Sequence, residues 1–103
     1  MFLLNMSYIP GTDFEALGLV RGAAVIAKDA GSDLMAGFMN FVGGEISCYT
    51  DMLEEARRTA TERMEAEAEK LSADAVINIR YSTAAVMAGA AEVLVYGTAV
   101  RYK

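Results

Sequence analysis

The chain has 103 residues, of which 54% are hydrophobic, and its 9 basic and 14 acidic residues give a net charge of −5. This acidic balance argues against nucleic-acid binding, which needs clustered basic side chains to neutralise phosphates. The hydrophobic share exceeds the usual range of about 45–50%. For a single domain spanning residues 1–103, we therefore expect other copies of the chain to cover part of the apolar surface.

The sequence favours a cytoplasmic protein without a membrane partner. No run approaches the ~18 apolar residues of a membrane-spanning helix. The N-terminal stretch "MFLLNMSYIPGTDFEALG" has no basic residue ahead of its short apolar segment, so a secretory leader is not predicted. Cys48 is the chain's single cysteine and cannot form an internal disulfide.

Two strands are predicted first. Residues 3–8 are short and apolar and are stopped by the turn signal Pro10-Gly11. Residues 18–27 are rich in strand-forming types but contain Gly18 and Gly22. A glycine inside a strand usually marks a bulge or a close approach of another backbone.

Two helices are predicted next. The first begins near Ser32, a good N-cap, and ends at Gly43-Gly44. The second runs from about Ser47 to Leu71, with its acids and arginines on a solvated face. Its apolar positions recur at steps of three and four and form one stripe: Tyr49, Met52, Leu53, Ala56, Ala60, Met64, Ala68 and Leu71.

Two further strands are predicted at residues 74–83 and 91–102. In the first, alternation places Ala75, Ile77, Ile79 and Tyr81 on one face. The second is apolar on both faces, and such a strand needs cover on both sides. We expect a partner subunit to supply one cover, with Leu94 and Val100 at that contact. The uncharged connection at residues 84–90 should pack against another chain.

These elements predict an α+β fold of two layers, with an antiparallel sheet, two helices and the order β-β-α-α-β-β. Three stretches, "FVGGEISCYTDMLEEARRTA", "LSADAVINIRY" and "VYGTAVRY", resemble in order and spacing the YbjQ-like family, small uncharacterised proteins often labelled heavy-metal-binding domains. The family motif positions are Gly43, Gly44, Tyr49, Arg57, residues 71–76 and residues 96–100 with Gly97; Gly22 matches an early-strand glycine.

The resemblance implies a dodecin-like fold and a closed ring homo-oligomer, which in this family looks like a pentamer. It implies no known reaction. The sequence departs from the family pattern at Ser72, where a helix-ending glycine is usual, so we expect a different helix C-cap.

The heavy-metal label conflicts with the donors that one chain offers. Zinc and soft-metal sites are built from thiolates and imidazoles, typically four, whereas this chain has one cysteine and no histidine. Two possibilities for a metal remain. Several copies of Cys48 could meet between subunits, or the seven methionines could supply thioethers, with Met35 and Met39 on one predicted helix face. The usual role of methionine is to fill an irregular core. No metal ligand is assigned, and no cofactor is identifiable.

Cys48, Tyr49 and Arg57 are the candidate ligand-binding or subunit-contact residues. Cys48 lies near a helix start, where the helix dipole favours a thiolate. Tyr49 and Arg57 lie about 12 Å apart along the helix, so they could frame a pocket between subunits or form an inter-subunit hydrogen bond. We predict a homo-oligomeric small-ligand or ion binding or scaffold protein. The alternative is an enzyme with a site at subunit contacts using Cys48 or Tyr49 with Arg57, which the missing histidine disfavours.

Overall fold

The computed structural model describes residues 1–27, 47–87 and 90–103. These residues form a small α+β fold with four strands and one helix: β1 (Phe2–Leu3), β2 (Phe14–Ala27), α1 (Ser47–Lys70), β3 (Ala75–Met87) and β4 (Ala90–Tyr102). The predicted first helix and Gly43-Gly44 lie outside the described residues. The described order is therefore β-β-α-β-β, and it contains none of the first predicted helix.

The sheet has the strand order β1-β3-β4-β2 and is mixed, so the prediction of a purely antiparallel sheet is wrong. β1 runs parallel to β3, with Phe2 opposite Ala75. β1 is also shorter than the predicted strand at residues 3–8. The chain after Leu3 still follows β3, but only through separate bonds such as that from the Asn78 amide to the Met6 carbonyl at 2.8 Å, because β3 is irregular there.

Helix α1 packs on one face of the sheet at Gly22 of β2. A Cβ atom at Gly22 would lie 2.1 Å from the Ala60 carbonyl oxygen, so the absence of a side chain permits this approach. Gly18 lies at the irregularity where the β2–β4 register shifts. Both expectations for strand glycines are confirmed. The middle of the predicted apolar stripe is also buried: Ala56, Ala60, Met64 and Ala68.

The C-terminus of α1 is closed by a left-handed Ser72, with φ of 58°. Its amide donates to the Glu69 carbonyl at 2.9 Å, and the Ala73 amide donates to the Ala68 carbonyl at 3.1 Å. This pair of bonds is the Schellman motif that glycine normally completes, so the expectation of a different cap is wrong. Because the chain turns away here, Leu71 is 40% exposed rather than part of the buried stripe.

A bulge in β3 overturns the predicted alternation of its faces. Asn78 has a φ of 58°, and the register with β4 shifts between Ile77 and Arg80. One extra residue exchanges the faces of all positions that follow it. Ile77 therefore lies in the core cluster on the face away from α1, whereas Ile79 lies in the cluster on the α1 face.

The face of the sheet away from α1 is covered at one end by the chain's own N-terminal segment. Val100 is fully buried there, in a cluster with Ile9, Ala75 and Ile77. Its predicted place at a subunit contact is therefore wrong, because the subunit itself covers it. Elsewhere on this face Leu19 and Val25 remain 68% and 59% exposed.

The predicted connection at residues 84–90 is mostly strand. β3 continues to Met87 and β4 begins at Ala90, while residues 88–89 lie outside the described part. β3 and β4 extend this far because β2 stays paired with β4 as far as Ala27, opposite Ala90. The three-stranded sheet therefore continues to this end. Its end carries large exposed apolar side chains, with Met87 69% exposed. No helix in the described ranges is long and apolar enough to cross a membrane.

Candidate functional site at the α1–β3 groove

Arg57 projects from α1 with a half-exposed side chain that pairs with Glu54, three residues earlier on the same helix. An exposed ion pair of this kind contributes only about 0.2–1 kcal/mol, because water solvates both charges well. The pairing with Glu54 is therefore a weak constraint. The Arg57 guanidinium can exchange it for another acceptor at little cost.

A short hydrogen-bond chain joins the Arg57 backbone to β3. The Thr61 hydroxyl donates to the Arg57 carbonyl at 2.7 Å, and the Thr61 Oγ1 lies 2.9 Å from the Tyr81 hydroxyl. A hydroxyl has a single proton to donate. Because Thr61 uses its proton towards Arg57, the Tyr81 hydroxyl is the donor in the second bond, and its oxygen keeps free acceptor capacity.

These residues line a shallow groove between α1 and β3 with a volume of 490 Å³. It is lined by Arg57, Thr61 and Tyr81 and by four further charged residues, Glu54, Arg58, Glu62 and Glu65. Donors, acceptors and both signs of charge therefore meet in one open depression. Such a depression can orient a small polar molecule, but it buries little of that molecule unless another surface closes over it.

Tyr81 and Thr61 were missed by the sequence reasoning. Simple alternation put Tyr81 on the face of Ala75 and Ile77, and the Asn78 bulge brings it to the α1 side instead. The available signal was Asn78 itself, since asparagine is enriched at left-handed positions and interrupts an otherwise β-branched run. Thr61, four residues after Arg57, bonds back to the preceding turn as threonines in helices often do.

Cys48 and Tyr49 belong to the first turn of α1, and the structure describes their backbone. Arg57 follows Tyr49 by just over two helical turns, about 12 Å along the axis. All three candidates therefore lie on the N-terminal half of one helix. Gly43 and Gly44 lie outside the described residues.

Gly97 and Gly22 allow close packing within the sheet and beneath α1. A Cβ atom on Gly97 would lie 2.7 Å from Val76 Cγ1 and 2.9 Å from the Ile77 carbonyl oxygen. Gly97 thus permits β3 to bulge against β4, and Gly22 permits α1 to approach β2.

No group of three or more histidine, cysteine, aspartate or glutamate side chains that could hold a metal occurs within residues 1–27, 50–87 and 90–103. The carboxylates at the groove, such as Glu54, are partnered by arginines or spread along the helix. The chemistry of this donor set does not fit a soft metal, which prefers thiolates and imidazoles.

Comparison with known proteins places this architecture in a family. A sequence model of the family described as "Putative heavy-metal-binding", YbjQ, matches residues 1–103. The chain belongs to the YbjQ family. The prediction made from the motifs around Gly43-Gly44, residues 71–76 and residues 96–100 is thereby confirmed.

Relatives of this YbjQ chain carry the name UPF0145 protein. One from Alkaliphilus metalliredigens is 51% identical over 102 residues, covering 99% of each chain. One from Thermotoga maritima is 52% identical over 102 residues, covering 98% of this chain and 96% of the relative. A crystal structure of a protein of unknown function from Pediococcus pentosaceus, assigned to the DUF74 family, has a TM-score of 0.73 at 17% identity and covers 100% of this chain and 98% of its own. That likeness shows the fold.

Proposed function

We propose that this chain is the subunit of a closed homo-oligomer that binds a small ligand or an ion where subunits meet. The observation that carries the proposal is the apolar surface that one subunit leaves in water. Leu19, Val25, Val86 and Met87 are each more than half exposed, and all lie on strands rather than on loose loops. Large exposed apolar patches mark association sites. The pentameric number comes from the family resemblance.

The ligand site is proposed at the contact because the α1–β3 groove, on the described part of one subunit, is an open depression. The α1–β3 groove holds the Arg57 guanidinium and the Tyr81 hydroxyl, which can hold a polar or anionic group. A neighbouring subunit lying over it would exclude water and strengthen both interactions. Cys48 and Tyr49, on the first turn of the same helix, are the further candidates.

A metal ion, if it is the ligand, requires a site shared between copies. One chain supplies a single thiolate and no imidazole. A ring would repeat Cys48 once in each subunit, so a soft metal could be held by thiolates from different copies. This shared site is the form in which the family description is compatible with the residues of this chain.

Native mass spectrometry of the purified protein tests both parts of the proposal at once. The expected spectrum shows a multiple of the 11.0 kDa chain mass, with a further mass that is released on denaturation. A Cys48→Ser variant serves as the matched control. Loss of a metal mass in this variant, with the assembly intact, would assign the shared thiolate site. A bare monomer for the unmodified protein would contradict the proposal.

A further inference from the structure

The sheet has two open edges in the described part of the chain. β2 is the outermost strand on one side. On the other side β1 pairs only with Ala75 and Val76, and N-terminal backbone groups bond to Asn78 and Ile79. The segment Arg80–Met87 of β3 therefore has no strand beside it among the described residues. Open edges of this length readily pair with another strand.

The two open edges lie level with each other across the sheet. Arg21 and Arg80 both lie opposite Tyr96 of β4, and Ala27 and Met87 both lie opposite Ala90. The segments 21–27 and 80–87 therefore flank the same stretch of β4. A copy placed beside this one at the same height would bring segment 80–87 of one subunit against segment 21–27 of the next.

The two edges differ in the charged side chains that protect them from pairing. Natural sheets protect open edges with charged side chains. On β2, Arg63 of α1 reaches over the edge strand and donates to the Ala23 carbonyl at 2.6 Å. In the segment 80–87 the only charged side chain is Arg80, at its first position, and Tyr81 and Val86 are 52% and 53% exposed. The β3 edge is therefore open to pairing with another strand. The β2 edge can pair through the Ala23 carbonyl only when the hydrogen bond from Arg63 is broken.

We infer that copies of the chain join by sheet extension, with the β2 edge at residues 21–27 of one copy paired to the β3 edge at residues 80–87 of the next. The inference rests on the proposed homo-oligomer and names its contact. β2 and β3 both run antiparallel to β4, so they are parallel to each other. Rotation about an axis along the strands preserves that direction, so the new pairing is parallel.

A second copy fits these edges better than a foreign strand, because repeated contacts between copies pair both edges of every subunit. A repeated head-to-tail contact forms a ring without open edges where its rotation closes on itself. Pairing of β2 with β2, or of β3 with β3, would leave one open edge on each chain. Only the head-to-tail contact covers both edges of every copy.

Cross-linking of paired cysteines tests the inference. In a Cys48→Ser background, Val25→Cys and Ala84→Cys are made singly and together, since both residues are exposed and both lie opposite Glu92 of β4. A bismaleimide that spans directly opposite and diagonal neighbours is added, and products are separated on a denaturing gel. The double variant should give a ladder of covalent multimers, whereas each single variant and the background should remain one chain.

Each other outcome overturns the inference. Covalent dimers from Ala84→Cys alone would mean β3–β3 pairing, and dimers from Val25→Cys alone would mean β2–β2 pairing. Failure to cross-link in a protein that light scattering shows to be oligomeric would refute sheet extension and leave the proposed function standing. A monomer would refute both.

Hydrogen exchange of backbone amides in the unmodified protein tests the same contact without substitutions. Amides at residues 21–27 and 80–87 should gain protection together when the subunits assemble. If either segment exchanges at the same rate in the assembled and the diluted, dissociated protein, the pairing does not occur.

Discussion

Gly22 of β2 lies directly against Ala60 of α1, so close that a single added carbon would be 2.1 Å from the Ala60 carbonyl oxygen and 2.5 Å from the Met64 amide nitrogen. Both contacts are to backbone, which cannot rotate away as a side chain can. The helix rests on β2 across this point, and the small stripe Ala56, Ala60 and Ala68 extends the same close packing along α1. The separation between helix and sheet is therefore set at one residue.

Replacing Gly22 with alanine should destabilise the protein strongly. The added methyl must push α1 off the sheet, and overpacking of this kind costs about 1–3 kcal/mol, with backbone clashes at the upper end. Thermal melts at matched protein concentration measure the effect. Glu69→Ala, an exposed change on α1 outside the proposed subunit contact, is the control and should melt with the unmodified protein. An unchanged melting temperature for Gly22→Ala would contradict the described packing of α1.

Ser72→Gly should stabilise the protein. Ser72 holds a left-handed φ of 58° at the end of α1, a conformation that costs an L-residue about 1–2 kcal/mol and glycine nothing. The greater conformational freedom of glycine in the unfolded chain offsets part of this stabilisation. We therefore expect the free energy of unfolding to rise by about 0.5–1 kcal/mol. Denaturant unfolding measures it. Thr98→Gly, on β4 and outside the proposed subunit contact, should instead lose stability, because glycine weakens the interior of a strand. Equal losses for both variants would refute the cap geometry.

Asn78 should tolerate glycine but not valine. Its left-handed φ of 58° shapes the bulge that sends Ile77 and Ile79 to opposite cores. Glycine fits this conformation, so Asn78→Gly should lie within about 0.5 kcal/mol of the unmodified protein. Valine does not, and Asn78→Val should lose about 1–3 kcal/mol. Thr98→Val, on β4 and outside the proposed subunit contact, is the control, since valine is favoured in a strand. Equal stability of Asn78→Val and Thr98→Val in denaturant unfolding would argue against the bulge.

The helix and the strands of the described fold were largely predictable, because each is encoded by local periodicity. The stripe through Ala60 and Met64 placed α1 and its buried face correctly. The bulge was not predictable by alternation, because an asparagine in a strand looks like an ordinary solvent-facing position until the register with β4 is known. That single residue explains why Tyr81 was assigned to the wrong face and the α1–β3 groove was missed. The parallel pairing of β1 depends on contacts more than seventy residues apart in sequence, which periodicity does not record.

Arg57 and Arg58 provide a matched pair for testing the candidate site. Each is ion-paired with a glutamate three residues earlier, Glu54 and Glu55, so each should contribute equally little to the stability of the subunit. Both line the groove, but the Arg57 side chain is 43% exposed and the Arg58 side chain 62%, so the Arg57 guanidinium is the less hydrated of the two. Arg57→Ala should therefore weaken ligand retention or assembly, measured by native mass spectrometry, more than Arg58→Ala does. Equal behaviour of the two variants would remove Arg57 from the site.

We propose that this chain works as an assembly of identical subunits. The decisive measurement is the molar mass of the unmodified protein, obtained by light scattering after size-exclusion chromatography over a wide range of concentrations. We expect one constant multiple of 11.0 kDa, because a closed assembly has a fixed number of subunits. A well-folded species at 11.0 kDa, or a mass that grows without limit as concentration rises, would contradict it.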